Sequence, residues 1–476
     1  MQPALEVVDR QSALDYLFGR INYERTSGGV PYRSNEFKLD RMRRLLAGLG
    51  DPHLALKVVH IAGTKGKGST AAMVASILRA AGLKVGIYTS PHLVDLEERI
   101  VVDGQMCDEA SFVRLVAQVQ QVAESMDRDE IATERRPGPT FFEITTAMAM
   151  LHFVRQRVDV AVLEVGLGGR LDSTNVCKPV VCGITSISFD HTKQLGNTLA
   201  AIATEKAGII KPGVPVVSGV TDPEPRAAIE AIAIERHAPL RQRDLHFGAD
   251  AIDSLAGPSQ AGETIAYWDE LGGPRYRLSD LKVGMLGSHQ AYNAAVAVAV
   301  ARTLQQQGWS IDEQAIRAGL AQVRCPARVE IVGQRPTQIV DVAHNHASIE
   351  ALVEVLDQRF QATQRVLVFA SSRDKDTVGM LRLLLPRFDR IILTRYLNNP
   401  RAIEHGELLE MASPVLAELA QDNGRARPVL ETAADPATAW NRAHQVASGE
   451  DLICVTGSFF LAAEIRPLLT SPARST

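Results

Sequence analysis

The sequence predicts an α/β protein made of two units, each a mostly parallel sheet with crossover helices. Three observations carry this reading. Short runs rich in Val and Ile recur between longer segments of helical period, the alternation starts again after Pro326, and 476 residues are too many for one core of ordinary size.

In the first unit the clearest runs are Leu56 to Ile61, Val158 to Val165, Val180 to Ile187 and Val214 to Val220. Nearly unbroken apolar runs of this length suit strands buried on both faces. Between Gly248 and Gly287 the pattern turns polar and glycine-rich, with a short alternating stretch at Thr264 to Trp268, which predicts a small β excursion on the first unit. Helical period returns at Ser288, and the alanine-rich run Ala294 to Val300 reads as a buried helix. The helical segment Ile311 to Val323 ends at Cys325-Pro326, where the proline restricts the residue before it, so the boundary falls there and the units span 1–325 and 326–476. The candidate strands of the second unit are Thr337 to Val342, Val366 to Ala370, Arg390 to Thr394 and Asp451 to Val455. The charged stretch Glu124 to Pro139, ending in Arg135-Arg136-Pro137-Gly138-Pro139, reads as an exposed loop.

Composition narrows the function classes. With 46% hydrophobic residues, 22% charged residues and a formal charge of -4, the chain is an ordinary globular one and nucleic acid is not its expected partner. Its five cysteines, Cys107, Cys177, Cys182, Cys325 and Cys454, lack paired metal spacing and fit a reducing cytosol. The amino-terminal segment never shows the apolar core of a signal peptide, and no apolar stretch approaches the roughly 20 residues that cross a bilayer. A cytoplasmic protein with no membrane partner is expected.

The strongest local signal is Val58-Val59-His60-Ile61-Ala62-Gly63-Thr64-Lys65-Gly66-Lys67-Gly68-Ser69-Thr70, followed by helical sequence from Ala71 to Ala81. A strand running into glycines, a lysine and hydroxyls is a phosphate cradle: glycines let backbone amides face phosphate oxygens, the helix start adds a favourable dipole, and Lys67 supplies a point charge. The spacing is shorter than G-x-x-x-x-G-K-[ST], since Ile61 stands where its first glycine would be. The candidate phosphate contacts are Gly63, Thr64, Lys65, Gly66, Lys67, Gly68 and Ser69. ATP use follows, but a ligase, a kinase, a transport ATPase and a nucleotide switch remain open at this point.

Further motifs narrow that choice. The loop is followed by Tyr88-Thr89-Ser90-Pro91-His92-Leu93, Glu98-Arg99-Ile100, Thr140-Phe141-Phe142-Glu143, Glu164-Val165-Gly166-Leu167-Gly168-Gly169-Arg170-Leu171-Asp172-Ser173-Thr174-Asn175 and Asp190-His191-Thr192. Then come Glu205-Lys206-Ala207-Gly208-Ile209, His289-Gln290 with Asn293, Arg328, Asp341-Val342-Ala343-His344-Asn345 and Val455-Thr456-Gly457-Ser458. The series resembles the folylpolyglutamate synthase and dihydrofolate synthase family of the Mur ligase superfamily, over most of the chain.

The resemblance implies a P-loop Mur ligase central domain joined to a smaller Rossmann-like domain, with ATP between the two and folate on the first. It implies Ser90 and Glu164 as ligands of one Mg2+ and His191 of a second, carbamylation of Lys206, and ATP contacts from Asn293, Arg328 and Asp341. It also leaves room for a monovalent cation. Thr140, Phe141, Phe142 and Glu143, with Leu171, Asp172 and Ser173, correspond to a pterin-binding region, although both phenylalanines equally suit a core. Two positions depart from the family pattern: Cys325-Pro326-Ala327-Arg328 replaces the commoner Trp-Pro-Gly-Arg, and His346 stands where proline is usual.

The implied reaction converts a carboxylate into an acyl phosphate with ATP and couples it to the amine of L-glutamate, releasing ADP and phosphate. Substrates would be dihydropteroate or a reduced folate, with His344 as a candidate to help deprotonate the amine. A monomer is expected. The alternatives are a cell-wall Mur-type amino-acid ligase and a P-loop ATPase switch.

Overall fold

The computed structural model describes residues 6–23, 39–132, 138–251, 262–270, 273–422 and 427–469. These fall into two compact units, one drawn from 1–251, 265–282 and 291–323, the other from 252–264, 283–290 and 324–476.

The first unit is built on an eight-stranded sheet. Its strands are β1 (Val58–Ala62), β2 (Val85–Tyr88), β3 (Ile100–Val102), β4 (Gln105–Met106), β5 (Val160–Glu164), β6 (Pro179–Ile184), β7 (Val216–Ser218) and β8 (Leu240–Gln242), in the order β4-β3-β2-β5-β1-β6-β7-β8. From β2 to β8 every pairing is parallel, and the β3–β4 hairpin adds an antiparallel edge. Every residue of β1 and β5 is buried, which explains why their sequences show no alternation. A separate three-stranded sheet, β9 (Phe247–Ala251), β10 (Glu263–Asp269) and β11 (Tyr276–Val283), forms the β excursion.

Helices cover the central sheet. The helix Phe141–Arg155 starts with a capping box in which Thr140 accepts from the Glu143 amide while the Glu143 carboxylate accepts from the Thr140 amide. Residues Ala294 to Val300 lie inside the helix Ser288–Gln306 and are buried. The stretch expected as an exposed loop from Glu124 instead begins within the helix Glu109–Ala132. Val116, Val119, Ala123 and Met126 keep a buried stripe at helical spacing, and this outweighs the density of charge around them. Residues 133–137 lie outside the described residues.

The second unit has a six-stranded sheet of β12 (Glu330–Gln334), β13 (Thr337–Val340), β14 (Arg365–Phe369), β15 (Arg390–Leu393), β16 (Val429–Thr432) and β17 (Leu452–Thr456), ordered β12-β13-β17-β14-β15-β16. Only β12 is antiparallel to its neighbour. Among the described residues no helix is long and apolar enough to cross a membrane.

Candidate active site

In the first unit β2, β5, β1 and β6 lie side by side and parallel, so their carboxyl ends share one edge. That edge carries the turn Gly63–Gly66 after β1, Ser90 after β2, Glu164 at the end of β5 and Thr185 after β6. Ligands bind outside such strand ends in open α/β sheets.

The phosphate loop needs its glycines for space. Gly63 sits at φ 149° and Gly66 at φ 80°. A Cβ on Gly63 would lie 1.9 Å from Thr185 Oγ1, and one on Gly66 would lie 2.2 Å from Asn293 Oδ1. Not every predicted amide faces outward: the Thr64 N–H donates to Ser186 O at 2.7 Å and the Lys65 N–H to Ser186 Oγ at 3.1 Å. Those two bonds shape the loop. The helix Lys67–Ala80 then starts without a side-chain cap, so the amides of its first turn are the donors available to an anion. Lys67 Nζ lies over the loop, 3.4 Å from Thr64 O.

Glu164 stands directly above this helix start. Its Oε2 accepts from the Ser90 N–H at 3.2 Å, and both carboxylate oxygens lie 3.5 Å from where a Cβ on Gly68 would be. The Thr70 hydroxyl is buried nearby in sequence with no hydrogen-bond partner among the described residues. One carboxylate with hydroxyl oxygens suits Mg2+, which keeps several waters and takes further ligands from substrate phosphates. The described residues contain no group of three or more His, Cys, Asp or Glu able to hold a metal. His191 occupies a left-handed turn at φ 48°, half exposed and 3.8 Å from Asp190.

Lys206 is buried, and its Nζ donates to Gly63 O at 2.8 Å. Burial, helped by the nearby positive charge of Lys67, pulls its pKa down to about 7. The ion pair in this neighbourhood belongs instead to Glu205, which meets Arg170 at 2.8 Å. Gly169 makes that approach feasible, since a Cβ there would lie 2.7 Å from the carbonyls of Glu205 and Lys206.

The expected pterin-side residues separate into different roles. Thr140 and Glu143 form the capping box, and Glu143 also pairs with Arg41 at 2.8 Å. Phe141 is buried between the Phe18 ring at 5.9 Å and the Arg99 guanidinium at 5.2 Å, which makes it core. Phe142 is partly exposed and faces Gly166, where a Cβ would lie 2.4 Å from its ring. Leu171 and Ser173 are partly exposed. Asp172 between them is buried; its Oδ2 accepts from the Leu167 N–H at 2.9 Å and its Oδ1 from the Thr174 N–H at 3.0 Å. Burial raises its pKa, and these hydrogen bonds oppose the rise.

In the second unit Arg328 is exposed between two left-handed residues, Ala327 at φ 54° and Val329 at φ 47°. Asp341 is buried and accepts from the Val329 N–H at 2.8 Å and the Ala343 N–H at 2.7 Å, so it braces the Arg328 turn. Burial pushes its pKa up, and Arg328 is the largest influence opposing that. The Nδ1 of His344 faces Val342 O at 2.8 Å, which assigns the proton of the neutral ring to Nδ1.

Comparison with known proteins agrees with this geometry. Residues 61–301 match the Mur ligase middle domain, and residues 327–459 match the domain described as Mur ligase, glutamate ligase domain. The dihydrofolate synthase/folylpolyglutamate synthase of Bacillus subtilis (strain 168) is 38% identical over 376 residues, covering 79% of this chain and 82% of that protein. The chain belongs to the dihydrofolate synthase/folylpolyglutamate synthase family of Mur ligases. Folylpolyglutamate synthase of Lacticaseibacillus casei is 36% identical over 435 residues, covering 90% of this chain and 94% of that protein. The solved structure of E. coli FolC in complex with DHPP and ADP superposes with a TM-score of 0.79 at 31% identity, covering 97% of this chain and 98% of that one.

The structure bears on two of the departing residues, His346 and Ala327, and does not explain Cys325. His346 is the first residue of the helix His346–Arg359, the position proline tolerates best, and Asn345 caps that helix through Ser348. Either residue type can therefore start the helix. Ala327 takes a left-handed conformation that glycine reaches without cost. Sequence reasoning missed Thr185, Ser186 and Arg41, which shape the family's phosphate loop and capping box here. The only signal for the first two was a pair of hydroxyls inside the apolar run Val180 to Ile187.

Proposed function

We propose that this protein is an ATP-dependent ligase that adds L-glutamate to dihydropteroate, to the γ-carboxyl of a folate, or to both, through an acyl phosphate. The observation that carries the reading is the uncapped helix start at Lys67 beneath the Glu164 carboxylate, reached through two glycines whose positive φ and crowded Cβ positions disfavour any side chain. Family membership makes the reaction a ligation. The named relatives are dihydrofolate and folylpolyglutamate synthases, and one solved neighbour holds ADP and DHPP.

The chemistry divides among this chain's residues. The amides of Gly66 to Ser69 and the Lys67 ammonium hold the outer phosphates of ATP and neutralise charge as the terminal phosphoryl group moves to the substrate carboxylate. Glu164 and Ser90 would hold Mg2+, which adds charge neutralisation at the phosphates; His191, outside any such group, is the proposed ligand of a second ion. Asn293, Arg328 and Asp341 contribute to the ATP site, Asp341 by bracing Arg328. Phe142, Leu171, Asp172 and Ser173 face the pterin side, while Thr140, Phe141 and Glu143 shape it. His344 accepts a proton from the glutamate amine. Lys206 adds carbon dioxide at its neutral Nζ, releasing one proton and turning a cation into an anion beside the phosphate loop. The ligase is organised as units 1–325 and 326–476, works as a cytoplasmic monomer, and takes small-molecule substrates only.

The test offers dihydropteroate and tetrahydrofolate separately with glutamate and Mg-ATP, then identifies products by mass. Phosphate release that needs both acceptor and glutamate supports the ligase. Release without either would favour the ATPase switch.

A further inference from the structure

The strand that feeds the phosphate loop carries a histidine that none of the roles above uses. His60 lies in β1 between Leu163 of β5 and Cys182 of β6, and it is completely buried. Its Nε2 is 2.8 Å from Thr174 Oγ1 and its Nδ1 is 3.6 Å from Cys177 Sγ. Thr174 Oγ1 in turn is 2.5 Å from Asp172 Oδ1.

The donors and acceptors in this chain have a definite order. Both Asp172 oxygens already receive backbone N–H groups, from Leu167 and Thr174, so the carboxylate is the acceptor and the Thr174 hydroxyl is its donor. That uses the one hydrogen Thr174 has. His60 must then donate from Nε2, and its bare Nδ1 accepts from the Cys177 thiol. The turn itself is pinned from the other side, because Lys211 Nζ donates to Asn175 O at 3.0 Å and to Asn175 Oδ1 at 2.7 Å.

We infer that His60 is a positioning residue for the substrate-side loop: as the Nε2–H tautomer it orients Thr174, and Thr174 holds Asp172 against the backbone of the Gly166–Asp172 turn. A buried ring with both nitrogens satisfied stays neutral, and burial accordingly pulls the His60 pKa down to about 3. The arrangement ties the loop that follows Glu164 to the strand that precedes Gly63, so two halves of the site keep one register. His60 touches neither substrate in this account.

The kinetic part of this inference rests on the ligase function proposed above; the spectroscopic part does not. Nitrogen-15 NMR of the folded chain, labelled at its histidine rings, should show His60 protonated at Nε2 and not titrating down to about pH 5. An Nδ1–H tautomer, or a ring that charges in that range, overturns the inference whatever the enzyme does. In kinetics, His60→Leu should raise KM for the pteroate or folate acceptor by about tenfold or more while KM for ATP stays within about twofold. His60→Gln, whose amide returns a donor near the Nε2 position, should recover most of the loss. Equal shifts in both KM values, or a Gln variant as poor as the Leu variant, contradict the inference. If His60→Leu fails to fold, Thr174→Val against Thr174→Ser asks the same question one link along, with the acceptor KM rising only for Val. A wild-type protein that ligates glutamate to neither acceptor sinks the function and leaves the NMR result standing.

Discussion

The phosphate loop of the first unit and the Cys325–Val329 turn of the second both pass through left-handed backbone, and they reach it by different means. Gly63 and Gly66 are glycines because a side chain has nowhere to go: Thr185 and Asn293 occupy the positions a Cβ would take. Ala327 and Val329 carry side chains at φ 54° and 47°, where a β-branched residue is a true outlier. Hydrogen bonds hold them there instead. The Ala327 N–H donates to Glu330 Oε2 at 2.7 Å, the Val329 N–H to Asp341 Oδ2 at 2.8 Å, and Arg466 fixes Glu330 at 2.5 Å. The first loop is therefore intolerant of size, whereas the second stores strain that its partners balance.

Substitutions can break that contrast. The largest effect is expected from Gly66→Ala, whose new methyl must displace the Asn293 side chain at a left-handed φ. Activity should fall by about 100-fold or more, with the folded state retained, as steady-state kinetics and circular dichroism would show. Next comes the buried cation of the first unit. Lys206 is half neutral near pH 7, so its carbamate, followed with 13C-bicarbonate by NMR, should be present at pH 8 and largely lost at pH 6 as the amine takes up a proton. Lys206→Met should show no such signal at either pH.

Smaller effects belong to the second unit. Asp341→Asn turns an amide toward one of the two backbone N–H groups that the carboxylate now accepts, and should cost about 1–3 kcal/mol in denaturant unfolding. Ala327→Gly relieves the left-handed alanine and should stabilise the protein by about 0.5–1 kcal/mol, with the greater freedom of glycine in the unfolded chain offsetting part of the gain. If Ala327→Gly destabilised the chain, the turn would not be strained, and the contrast between the two loops would collapse.

Much of this was legible in the sequence, for reasons the structure makes concrete. Strands such as Val58–Ala62 and Leu452–Thr456 are buried on both faces, so their unbroken apolar runs stand out. The β3–β4 hairpin and β16 did not stand out. β3 is apolar but only three residues long, Gln105 and Met106 of β4 are exposed, and β16 has no fully buried residue, so none of them gives the long apolar run of a strand buried on both faces. In the site, Gly66 and Lys67 declare themselves through residue type. Partners distant in the chain do not: nothing local links Ser186 to the Lys65 amide 121 positions away, or Arg41 to Glu143 across 102. The inward-facing amides of Thr64 and Lys65 likewise became visible only when the segment after β6 was placed beside the loop.

The central claim is that the helix start at Lys67 holds ATP so that its terminal phosphoryl group passes to a substrate carboxylate. The most direct measurement uses an acceptor labelled with 18O in that carboxylate, with glutamate and Mg-ATP, and weighs the phosphate released. An acyl phosphate requires one labelled oxygen to leave with phosphate when the amine attacks the carbonyl carbon. Released phosphate should therefore carry one 18O per turnover, and phosphate free of label, with the amide product formed, would contradict the account.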